Sequence, residues 1–75
     1  MSNFTTETIA QIVRLTSSAE YMSKYGQECY DQYLNQAVEE CGIDYWTAHD
    51  LMRASAHCKS REEFTAVVEK TIAAK

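Results

Sequence analysis

The chain has 75 residues, with 7 Lys or Arg against 11 Asp or Glu and a formal net charge of −4. We predict one domain, residues 1–75, which buries roughly 60% of the surface that its unfolded chain exposes and is too small for a large internal active-site cavity. The acidic balance argues against a nucleic-acid partner, because affinity for a phosphate backbone comes from clustered Lys and Arg. Without a signal peptide or a membrane-spanning apolar run, the default expectation is cytoplasmic residence, with peripheral membrane association still open.

The first predicted helix begins after Thr5, a residue type favoured at the N-cap. Phe4 precedes the cap and Ile9 follows at the position where a hydrophobic staple closes. The apolar spacing continues to Thr16. We predict that this short helix ends at the polar pair Ser17–Ser18.

The second predicted helix is long and amphipathic. Ser17 and Glu20 have the spacing of a capping box, which predicts a helix Ser18–Cys41 with Gly42 as the left-handed residue past its end. Its apolar face on a 3.6-residue wheel holds Met22, Gly26, Cys29, Tyr30, Tyr33, Leu34, Ala37 and Cys41. A glycine there costs about 1 kcal/mol relative to Ala, so Gly26 marks a close helix crossing, a bend, or a break into two helices.

Two further helices follow. Asp44 caps the third, which has an inward face of Ala48, Leu51, Met52 and Ser55 and an opposite face of Trp46, Asp50, Arg53 and His57. Ser60 and Glu63 form another capping box, opening a last helix with the buried stripe Phe64, Val67, Val68, Thr71 and Ile72. The prediction is an all-α, single compact domain of four short amphipathic helices, or five if Gly26 breaks the second.

The reactive residues do not form a recognisable catalytic or metal-binding pattern. Cys29, Cys41 and Cys58 are an odd number, which fits reduced thiols better than a disulfide framework. His57 and Cys58 are adjacent, and adjacent helical side chains point about 100° apart, so they do not form a nucleophile–base pair. There is no Cys-x-x-Cys and no His pair four residues apart. We therefore expect no catalytic residue, no metal site and no cofactor.

The middle of the chain is acidic and aromatic. Between Lys24 and Arg53 there is no Lys or Arg. The same stretch contains the acids Glu28, Asp31, Glu39, Glu40, Asp44 and Asp50. Aromatic rings with a polar edge suit surfaces that are partly apolar and partly wet. The candidate lipid- or partner-binding residues are Tyr21, Tyr25, Tyr30, Tyr33, Tyr45 and Trp46.

These aromatic residues differ in their expected exposure. Tyr30 and Tyr33 lie inside the apolar stripe, where packing with the hydroxyl at the rim is the simpler interpretation. Tyr21 and Tyr25 lie at its edge, one turn apart, where partial exposure is expected. Trp46 lies on the polar face of its helix, but near the helix start it can also fold back under the preceding turn, so both burial and exposure stay open.

In length and layout the whole chain resembles the small bacterial PAS factor family, which is unrelated to PAS sensor domains. The resemblance is carried by the Met-Ser-Asn-Phe start, the short amphipathic helices, the acidic balance and the aromatic-rich segment Tyr21–Trp46. It implies a saposin-like fold of five helices, compact or V-shaped, that perturbs membranes and helps periplasmic proteins leave the cell. Saposins typically have six cysteines in three disulfides, whereas this chain has three cysteines.

The expected function is therefore non-enzymatic. The first hypothesis is a saposin-like protein that binds a lipid membrane surface, perturbs it and promotes release of periplasmic proteins. The alternative is a soluble acidic helical adaptor or inhibitor that binds a basic partner protein. Against the first hypothesis, acids in the aromatic segment would be repelled by anionic lipid, and the sequence does not decide between the two. Lipid activity needs helices that can open, whereas an adaptor needs a rigid exposed face; the sequence predicts no oligomeric state.

Overall fold

The computed structural model describes residues 4–26 and 29–74. In this part of the chain four α-helices follow one another: α1 (Thr6–Lys24), α2 (Tyr30–Cys41), α3 (Tyr45–Ser55) and α4 (Arg61–Ala73). The described residues include no strand. The prediction of an all-α domain of four to five helices is confirmed, with four.

Three helix starts are set by local side-chain caps. Thr5, Asp44 and Ser60 each accept a hydrogen bond at 3.1 Å from the backbone N–H three residues later. These bonds satisfy N–H groups that have no partner within the first turn of a helix. The carboxylate of Glu63 does not take its expected place in the second capping box, because it accepts from the N–H of Lys59 at 2.8 Å, one residue earlier.

The predicted helix boundary at Ser17–Ser18 is wrong, because α1 runs unbroken to Lys24. A serine inside a helix costs only a fraction of a kcal/mol, so burial on the next turn outweighs it. Ala19, the residue directly after the predicted end, is fully buried at 0% exposure. The hydroxyl of buried Thr16 donates to the carbonyl of Ile12 at 2.7 Å, so this polar group is satisfied inside the helix.

The sequence leaves a close crossing, a bend or a break open at Gly26, and the structure contains the break, so no single helix spans Ser18–Cys41. α1 ends with Tyr25 as its C-cap. Gly26 follows with φ of 71°, in the left-handed region that favours glycine. Gly42 has φ of 75° after α2, which confirms its predicted role as the residue past the helix end.

Helix α1 is the centre of the fold and packs against each of the other three helices. Gln11 near its start donates to Glu40 near the end of α2, so these two helices run antiparallel. The core consists of Ile12, Val13, Leu15, Ala19, Leu34, Ala37, Cys41, Ile43, Ala48, Leu51, Met52, Phe64, Val68 and Ile72. The molecule measures 37 × 27 × 18 Å, and a helix with side chains is about 10 Å across, so the short dimension holds about two helices.

Candidate functional site

The six predicted aromatic site residues are distributed over three helices. They occupy the end of α1 (Tyr21, with Tyr25 at its cap), the first half of α2 (Tyr30, Tyr33) and the start of α3 (Tyr45, Trp46). Large exposed apolar side chains in the described residues are Tyr21, Tyr25 and Trp46. The structure therefore separates surface aromatics from packing aromatics.

Tyr21 and Tyr25 form an exposed pair, as predicted. Their side chains are 59% and 61% exposed, and their ring centroids lie 4.9 Å apart with the planes tilted by 52°. One helical turn separates the two residues, which brings their rings into contact on the same face. Tyr30 and Tyr33, in contrast, are half-buried and pack against the core, which confirms the simpler interpretation for both.

Trp46 is exposed, which settles the alternative that the sequence leaves open. Its side chain is 70% accessible to solvent. The Asp44 cap determines where α3 begins, and the helical period then directs Ala48 and Leu51 into the core. Trp46 belongs to the opposite face, so it cannot reach the core without unwinding the first turn.

Trp46 is part of a three-ring cluster at the start of α3, which we call the aromatic corner: Tyr45, Trp46 and His49. The rings of Tyr45 and Trp46 are perpendicular, with an interplanar angle of 87° and centroids 5.4 Å apart. The His49 ring lies 6.2 Å from the first and 6.1 Å from the second. Trp46 makes edge-to-face contacts with both Tyr45 and His49, the second at an interplanar angle of 63°, whereas the rings of Tyr45 and His49 are tilted by 34°.

A hydrogen bond to α2 holds the aromatic corner in place. The Tyr45 hydroxyl donates to the Asp31 carboxylate, and the Asn35 side chain donates to the other oxygen of that carboxylate at 3.1 Å. The pKa of Tyr45 rises to about 12, chiefly because the hydrogen bond to Asp31 stabilises the protonated phenol. Burial, the negative charge of Asp31 and the neighbouring Tyr30 raise the pKa further, in that order.

Sequence reasoning named Tyr45 and Trp46 but missed His49 and Asp31 as their neighbours. His49 follows Tyr45 by four residues on one helix, a spacing that brings side chains together and is readable from the sequence. Asp31 is 14 residues from Tyr45 and on another helix, so nothing in the sequence pairs them.

The thiols and acids do not assemble into a reactive centre in the part of the chain that the structure describes. All three cysteines are free thiols, as predicted. Burial raises the pKa of the Cys41 thiol, with a further increase from Glu40 that Arg14 opposes, which makes this thiol a poorer nucleophile. Among the described residues no group of three His, Cys, Asp or Glu side chains is placed to hold a metal ion.

Comparison of the chain with protein-family models, with curated proteins and with solved structures finds no match. Within residues 4–26 and 29–74, no helix has the length and hydropathy needed to cross a bilayer. The functional assignment therefore depends on the surface chemistry of this chain, above all on its exposed aromatic residues.

Proposed function

We propose that this protein is a non-enzymatic, saposin-like membrane-binding protein that attaches to the surface of a bilayer, perturbs it and promotes release of periplasmic proteins. The observation that carries the proposal is the exposure of Tyr21, Tyr25 and Trp46, each at least 59%, on a body with a separate buried core. Tryptophan and tyrosine are the side chains that favour the boundary between water and lipid, because each combines an apolar ring with a polar group.

The shape of the molecule is compatible with this role. A body about two helices thick exposes a broad apolar face if one helix layer separates from the other, and that face then contacts acyl chains. Resemblance to the PAS factor family supports the same role. The described residues form four helices, against the five that the resemblance implies, and the three cysteines are free thiols, against the disulfides of saposins. In this proposal helix packing alone therefore resists opening.

Fluorescence of Trp46 tests the proposal, because it is the single tryptophan of the chain. Added vesicles should shift its emission to the blue as the indole leaves water, and vesicles loaded with a dye should leak. Trp46→Ala should weaken leakage while far-ultraviolet circular dichroism stays helical. Gln32→Ala, which changes an exposed neutral residue of α2, is the matched control and should leak dye like the parent protein. Unchanged emission together with no leakage would contradict membrane binding.

The second candidate function is an acidic adaptor or inhibitor for a basic partner protein. It is favoured by one observation, the hydrogen bond from Tyr45 to Asp31 that orders the aromatic corner, because preordered aromatic residues are typical of the energetic centre of protein interfaces. An oligolysine peptide separates the two candidates. If the peptide quenches Trp46 emission and vesicles leave it unchanged, the adaptor replaces the membrane-binding protein as the proposed function.

A further inference from the structure

We infer that the aromatic corner (Tyr45, Trp46, His49) and Asp31 together bind the ammonium group of a zwitterionic phospholipid headgroup. This inference rests on the proposed membrane binding and adds the lipid class. In such headgroups, phosphatidylcholine for example, the positive ammonium is the outermost group of the membrane, so a protein surface meets it before the phosphate. The site therefore needs a cation-binding surface that is accessible from outside.

The geometry of the rings suits an organic cation. The rings of Tyr45, Trp46 and His49 contact one another, with centroids 5.4 to 6.2 Å apart, so a cation binds at the outer face of this cluster and not between its rings. A cation within about 6 Å of a ring centroid is attracted by the negative face of the ring, with Trp the strongest partner. Because Trp46 is 70% exposed, one face of its indole is accessible to a headgroup.

Asp31 supplies negative charge beside these rings. Its carboxylate accepts hydrogen bonds from Tyr45 and Asn35, both neutral donors, so these bonds orient the charge without cancelling it. The quaternary ammonium of phosphatidylcholine has no N–H to donate, so Asp31 attracts it by charge and not by a hydrogen bond. Asp50 follows Trp46 by four residues and is exposed, which adds a second carboxylate one helical turn away.

The sequence around the aromatic corner contains no basic side chain that could pair with Asp31 in place of a headgroup. No Lys or Arg occurs from residue 25 to residue 52. Arg53 is seven residues beyond Trp46 on α3, about 10 Å along the helix axis at 1.5 Å per residue. Charge complementarity therefore favours a cation from outside. The same acids repel anionic lipid, which selects a zwitterionic, ammonium-bearing headgroup over an anionic one.

Vesicles of two compositions test the inference. We expect the parent protein to bind phosphatidylcholine vesicles more tightly than phosphatidylglycerol vesicles, measured by flotation. Asp31→Asn removes the charge but keeps an oxygen that can accept from Tyr45, and should weaken phosphatidylcholine binding about two- to fivefold, the range of an exposed charge interaction. Glu62→Gln, an equal charge change at an exposed position of α4, is the matched control and should leave phosphatidylcholine binding unchanged.

Trp46→Leu supplies an independent variant, because it keeps an apolar side chain that inserts into lipid but removes the π face that attracts a cation. It should weaken binding to phosphatidylcholine and not to phosphatidylglycerol. Circular dichroism checks whether each variant is folded. If Asp31→Asn is unfolded, the comparison of Trp46→Leu on the two lipids tests the headgroup inference by itself. Three outcomes would overturn the headgroup inference and leave the proposed membrane binding standing. Trp46→Leu could weaken binding to both lipids equally, or Asp31→Asn and Glu62→Gln could have equal effects on phosphatidylcholine binding. The third outcome is tighter binding of the parent protein to phosphatidylglycerol. No binding to either vesicle would overturn the proposed function as well.

Discussion

Proline at position 18 tests the continuity of α1. In the structure Ser18 lies inside α1, which continues to Lys24, so its N–H belongs to the ladder that reaches the carbonyl four residues back, that of Arg14. Proline lacks this N–H and its ring collides with that carbonyl, which costs about 3 kcal/mol or more. A chain of this length has a total free energy of unfolding of about 4 to 11 kcal/mol, at 0.05–0.15 kcal/mol per residue, so Ser18→Pro should remove a large part of it.

Thr6→Pro is the matched control. Thr6 is the first residue of α1, and the preceding Thr5 has ψ of 169°, in the extended region that a residue before proline prefers. Proline is well tolerated at the first helical position, because the N–H there has no partner within the helix. We expect this variant to unfold within about 1 kcal/mol of the parent protein in urea, followed by far-ultraviolet circular dichroism.

Comparing Ser18→Pro with Thr6→Pro can refute the continuity of α1. If a new helix started after Ser17, as the capping-box pattern suggests, Ser18 would itself be a first helical residue and proline there would be tolerated. Equal unfolding midpoints for Ser18→Pro and Thr6→Pro would therefore show that α1 breaks at Ser17. If only Ser18→Pro lowers the free energy of unfolding, α1 is continuous through Ser17.

Three further predictions concern the core, a titration and the thiols. Leu51→Ala, at a position 1% exposed, should lower the free energy of unfolding by about 2 to 5 kcal/mol, whereas exposed Arg53→Ala should change it by no more than about 0.5 kcal/mol; equal urea midpoints would contradict the inward direction of Leu51. Tyr45 should ionise near pH 12 in the folded protein, against about pH 10 for a free tyrosine side chain. Because the folded state holds the Tyr45 proton more tightly than the unfolded state, this group's contribution to the free energy of unfolding is complete below pH 10 and is lost as the pH rises through about 12. Tyr45→Phe should abolish this part of the pH dependence in urea titrations. A thiol reagent should count three free cysteines in denatured protein and react with Cys41 last in the folded protein, because this thiol is buried and its pKa is raised; a count of one would show a disulfide.

The parts of the fold that the sequence predicts correctly are those with local causes. The caps at Thr5, Asp44 and Ser60 each join a side chain to an N–H only three residues away, so the residues that decide them are adjacent in the sequence. Gly42 ends its helix for a similarly local reason, because glycine adopts positive φ at little cost. The helical period also predicts the inward face of α3 at Ala48, Leu51 and Met52, all of which are buried.

The Ser17 boundary shows where local reasoning fails. The capping-box pattern at Ser17 and Glu20 is compatible with a helix start, but it is equally compatible with a helix interior. Burial decides between a helix start and a helix interior at Ser17. In the continuous helix Thr16 and Ala19 are buried against neighbouring helices, and the free energy gained by burying them exists only once α1 is packed. At Gly26 the opposite holds, since the sequence allows a bend, a crossing or a break, and the antiparallel return of α2 along α1 requires the break.

For the candidate site, the sequence by itself determined the acidic and aromatic composition, the absence of Lys and Arg from residue 25 to 52, and the contact between Tyr45 and His49 one turn apart. Only the tertiary structure decided that Asp31 receives the Tyr45 hydroxyl and that Trp46 is exposed and not folded under the preceding turn. The physical reason is the sequence separation of the residues that interact. Caps, turns and helical faces depend on residues a few positions apart, whereas a hydrogen bond between helices depends on how their buried faces pack.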